Sequence, residues 1–156
     1  MSWVGIGNRA GKVNNRVEKV KKLWAELLKQ RPTNEDLRYI IRWVEPLREE
    51  AGQELLKKGV TKEDLRYIIE CVKSLREKAG RMLLKRAPTN YDLCLIIRWV
   101  EPLREEAWQK LLEKGVTKED LSYIIKYVES LREDAEKLLV LKLGREEIME
   151  EIKALY

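Results

Sequence analysis

Histidine and phenylalanine are entirely missing from this 156-residue chain. Without imidazole the usual general base and the commonest metal ligand are gone, which argues against catalytic triads and against most zinc or iron sites. Cysteine is scarce, with only Cys71 and Cys94. Registering the helices expected to carry them separates the pair by about 15 Å at ~1.5 Å of rise per residue, too far for a disulfide. Packing is the better reading for both thiols. No apolar run approaches the ~20 residues of a membrane span, and the first residues lack a signal-peptide core, so a cytoplasmic chain without membrane contact is expected. A phosphate loop is missing too: "GIGNRAGK" has Ile6 where the loop needs glycine and Val13 where it needs a hydroxyl. No cofactor is expected.

Charge is abundant, at 38% of residues with a net value of +5, which suits a soluble helix-rich chain and argues against disorder. Residues 1–30 carry Arg9, Lys12, Arg16, Lys19, Lys21, Lys22 and Lys29 against Glu18 and Glu26, so they hold the whole excess. A basic first helix raises the possibility of nucleic-acid binding. A solvated helix face is the better reading, because no aromatic residues interleave with these charges to stack on bases.

The chain repeats itself. Thr33–Gly52 and Thr89–Trp108 agree at sixteen of twenty positions, and Thr33, Thr61, Thr89 and Thr117 stand 28 residues apart. Each threonine is followed three residues later by Asp36, Asp64, Asp92 or Asp120, an N-cap with an acidic partner that starts a helix. Leu65, Ile68, Val72, Leu75, Ala79 and Leu83 then recur at steps of three and four, one face of an α-helix. Helix stops follow at Gly59 and Gly115, assigned the left-handed position, and at Pro32 and Pro88.

These signals predict an all-α fold of six antiparallel helices built from 28-residue repeats, as a bundle or a short solenoid in one domain. The expected helices cover residues 12–30, 34–58, 62–86, 90–114, 118–142 and 145–155, after an irregular segment 1–11 whose Trp3, Val4 and Ile6 dock on the helices. Pro46 and Pro102 fall inside two of them. Because the apolar stripe runs through both without a phase jump, kinked continuous helices are preferred over two helices per repeat. The alternative rests on Ser74 and Ser130, their counterparts, each heading an S-L-R-E box that could cap a second helix.

Near-identical copies, G-V-T loops, regular caps and Lys/Glu/Arg-rich surfaces make residues 31–142 resemble de novo designed helical repeat proteins and helical bundles. The resemblance implies a scaffold without natural enzymatic activity, sometimes given a pocket or an interface.

Departures from repetition locate candidate sites. Gly52 and Gly80 cost about 1 kcal/mol each within a helix, so either helices approach closely there or space is opened. In the second case Trp43, Gly52, Tyr67, Cys71, Gly80, Leu95 and Trp99 would line an apolar pocket for a small molecule. The alternative is an interface for a partner or for self-association, formed by Met82, Tyr91, Cys94 and Leu95, three of which replace charged residues of the other copies.

Overall fold

The computed structural model describes the backbone of residues 3–156 and the side chains of residues 14–156. Among them the regular structure is helical throughout: α1 (Trp3–Lys29), α2 (Asn34–Trp43), α3 (Arg48–Lys57), α4 (Lys62–Cys71), α5 (Arg76–Leu84), α6 (Asn90–Trp99), α7 (Arg104–Lys114), α8 (Lys118–Tyr127), α9 (Arg132–Lys142) and α10 (Arg145–Ala154). Ten helices replace the six expected, and α1 begins at Trp3 where an irregular segment was expected. The docking expected of Trp3, Val4 and Ile6 lies outside the described side chains. No helix among the described residues is long and apolar enough to cross a membrane.

All four threonines cap as their spacing predicts. Thr33, Thr61, Thr89 and Thr117 each accept from the backbone N–H of the aspartate three residues on, and that carboxylate accepts from the threonine N–H. Two of the otherwise orphaned donors at each helix start are thereby satisfied.

The helices then end earlier than the apolar stripe suggests. Val44, Val72, Val100 and Val128 each donate to the carbonyl four residues back and leave the helix, with φ between −126° and −116°. A 3₁₀ turn follows each time, at Glu45–Leu47, Lys73–Leu75, Glu101–Leu103 and Glu129–Leu131. The continuous kinked helices expected at Pro46 and Pro102 are therefore breaks. Proline is compatible with the break but does not cause it, since Ser74 and Ser130 occupy the same turn.

Arginine secures the break. The two carbonyls exposed at the end of α2 are met by the Arg48 guanidinium, with Nε 2.6 Å from the Ile41 oxygen and a second nitrogen 3.4 Å from that of Arg42. Arg104 does the same for Ile97 and Arg98 at 2.7 and 3.4 Å, and Arg132 reaches Ile125 at 2.9 Å. A cation at a helix C-terminus also suits the macrodipole. Because the turn already takes proline twice, Ser74→Pro is expected to leave stability unchanged or raise it by about 0.5–1 kcal/mol. A continuous helix would instead lose about 3 kcal/mol, so urea unfolding of this variant separates the two.

The chain forms two units, Met1–Leu75 and Arg76–Tyr156. In the first, α2 packs on α3, and Leu37, Ile41, Ala51 and Leu55 are fully buried. In the second, α6 packs on α7 and α8 on α9, around Ile96, Ile97, Ala107, Leu111, Leu121 and Ile124. The connections differ from expectation in one respect. Gly115 adopts φ 104°, as assigned, but Gly59 does not take a positive φ. Arg31 and Ala87 do, at 57° and 48°, just before Pro32 and Pro88. Lys58 and Lys114, near the ends of α3 and α7, donate to the carbonyls of Pro32 and Pro88.

Candidate contact surface

Successive capped helices of a unit are cross-linked through their first turns. Asp64 is 1% exposed, and its carboxylate accepts from Asn34 Nδ2 at 3.2 Å and from Arg38 at 3.0 Å. In the second unit Asn90 Nδ2 reaches Asp120 at 2.9 Å, but the place of Arg38 is taken by Cys94, whose Sγ lies 3.8 Å from Asp120 Oδ1. Burial, then the neighbouring Asp120 charge and the hydrogen bond to it, push the Cys94 thiol up to about 12. It stays a protonated donor. Tyr67 and Tyr123 are also raised, chiefly by burial.

These shifts fix a direction. The folded chain keeps protons that the unfolded chain releases from pH 9 upward, so stability falls as pH rises from 9 towards about 12. Thermal unfolding across that range is expected to show the fall, and Cys94→Ala to flatten it.

The glycines report close approach. A Cβ on Gly52 would stand 2.8 Å from Leu75 Cδ1 and 3.3 Å from Val72; on Gly80 it would stand 3.0 Å from Leu103 Cδ1 and 3.3 Å from Val100. The seats of both glycines are filled by the next break's valine and leucine, so neither lines an open pocket. Of the other expected pocket residues in the first unit, Trp43 is 64% exposed while Tyr67 and Cys71 are half-buried. In the second unit Leu95 is buried and Trp99 half-buried. The interface set separates likewise: Tyr91 is exposed and Met82 half-buried, but Cys94 and Leu95 are each 2% exposed. The i, i+3, i+4 spacing read as a surface patch is mostly core.

What does reach the surface is a set of aromatic rings on the capped helices and the guanidinium groups beside them. Arg98 stands 4.5 Å from the Trp99 ring centroid and 3.7 Å from that of Tyr127, and donates to the Tyr123 hydroxyl at 3.3 Å. Arg76 covers Trp99 at 4.8 Å, and the Tyr123 and Tyr127 rings lie 4.8 Å apart. In the first unit Arg42 stands 5.0 Å from the exposed Trp43 ring. Cation–π pairs of this kind hold planar groups rigid at low entropic cost. Arg98, Tyr123 and Tyr127 are not among the site residues expected from the sequence. Arg42 and Arg98, each beside a tryptophan in the two closest copies, were the available signal.

No protein-family model matches this chain, and neither does any curated protein or solved structure.

Proposed function

We propose that this chain is a scaffold of 28-residue units, each two helices joined at a valine break, that works through protein contact and not through catalysis. The observation carrying this reading is the division of labour among its polar side chains. Those that recur serve the backbone: threonine and aspartate at helix starts, arginine at helix ends. Among the side chains that vary, Trp43, Tyr91, Arg98 and Tyr127 lie exposed or half-buried on the capped helices, whereas Cys94 and Trp108 are buried. Tyrosine, tryptophan and arginine are the side chains that dominate protein–protein contact energies. The filled seats of Gly52 and Gly80 count against a small-molecule pocket.

A unit of this kind is removable. Deleting residues 61–88 joins Val60 to Thr89 and omits one copy. The shortened chain is expected to keep its helicity per residue and to melt cooperatively at a lower temperature, as nearest-neighbour repeat energetics require. An unfolded or aggregated deletion variant would refute the repeat scaffold.

A further inference from the structure

The first and last helices in chain order carry complementary halves of a unit. α10 has the pattern of a capped first helix: Gly144 at the cap, Glu147 bonding back to it, then Ile148 and Ile152 where α2 has Leu37 and Ile41. In α2 those two positions are 0% exposed, but in α10 they are 38% and 48% exposed. α1 has the pattern of a second helix. Counted back from the next capping threonine, Leu23 and Leu27 stand where α3 has Ala51 and Leu55. Both α3 residues are fully buried, whereas Leu23 is 59% exposed and Leu27 half-buried.

A polar register accompanies this. In three places the second residue counted from a helix cap bonds the carboxylate at the fourth position of the next capped helix in the same unit: Asn34 to Asp64, Asn90 to Asp120, and Lys118 to Glu147 at 2.7 Å. The last of these links the start of α10 to the start of α8 through one exposed ion pair. Two members stand at the ends of the series. Arg145, second counting from the Gly144 cap, is exposed, and Asp36, fourth counting from the Thr33 cap, is exposed and bonded within its own cap. Tyr39 and Trp43, on the same helix as Asp36, are each 64% exposed.

We propose that α10 of one copy docks against α1 and α2 of another, completing a unit between chains, with Arg145 of the first pairing with Asp36 of the second. Charge favours this occupant. α10 carries Glu146, Glu147, Glu150 and Glu151 against Arg145 and Lys153, and residues 14–29 carry Arg16, Lys19, Lys21, Lys22 and Lys29 against Glu18 and Glu26. The two surfaces differ, so each contact joins unlike faces of the two copies. Leu23 in place of alanine makes this joint wider than a within-chain pair. The inference rests on the two-helix unit proposed above. The 61–88 deletion tests the unit and the experiment below tests the joining, so each can fail alone.

Light scattering over a concentration series, with Leu23→Asp and Ile152→Asp as variants of exposed positions, tests it. Wild type is expected to gain mass with concentration, to two chains or more, and less so in high salt. Each variant alone should remain at the 18.5 kDa of one chain, and their equimolar mixture should stop at two chains because only one competent pair of surfaces remains. Wild type that stays at one chain overturns the proposal, as does either variant alone growing like wild type, the mark of a different surface. Arg145→Glu, which leaves the apolar positions intact, should weaken association severalfold; unchanged association would overturn the proposed pairing.

Discussion

Asp64→Ala is expected to lower the unfolding free energy by about 3 kcal/mol, and the same change at Asp36 to cost a small fraction of that. Both residues are fourth counting from a capping threonine and both accept from the threonine N–H, at 3.1 and 2.9 Å. They differ in burial. Asp64 is 1% exposed and also receives Asn34 and Arg38, so removing its carboxylate leaves buried donors unsatisfied and an arginine without its counter-charge. Arg38 keeps 31% of its side-chain surface in water, which holds the loss towards the lower end of what a broken buried pair costs. Asp36 is exposed, and water replaces it. Urea unfolding of the two single variants gives the comparison; equal losses would mean that the cross-link between α2 and α4 contributes nothing beyond the cap.

Arg104→Met is expected to cost about 2 kcal/mol, from two hydrogen bonds to a charged donor of which the 3.4 Å one is weak. Methionine keeps most of the aliphatic stem, so the loss reports the guanidinium. Arg132→Met should cost less, because Arg132 is exposed and has a single such bond, at 2.9 Å. A loss at Arg132 as large as that at Arg104 would assign the effect to generic helix propensity instead of the carbonyls at the break.

Helix starts were legible because capping is local: a threonine, an aspartate three residues on and an apolar residue after it leave little else to form. The helix end at Val44 was not legible from periodicity. Val44 and Leu47 keep the three-residue step of the apolar stripe through a 3₁₀ turn as well as they would through an α-helix, so the stripe stays in phase across the break. The useful signal was Arg48, repeated as Arg104 and Arg132, whose role appears only once the carbonyls left at the helix end six and seven residues earlier are counted. Gly52 and Gly80 were ambiguous for a related reason, since absence of a side chain suits both an open space and a close approach, and the opposing Val72, Leu75, Val100 and Leu103 decide between them. Cys94 and Leu95 show the limit of helical spacing. One face of a helix looks the same in sequence whether it meets solvent or core.

The break at the valine, common to copies with and without proline, is the central architectural claim. Backbone carbon chemical shifts of Val44, Val72, Val100 and Val128 measured in solution address it most directly. All four are expected to leave the helical range while the residues of α2, α4, α6 and α8 before them stay within it. Helical shifts running unbroken from Ile68 to Ala79 and from Ile124 to Ala135, where serine stands in place of proline, would contradict it.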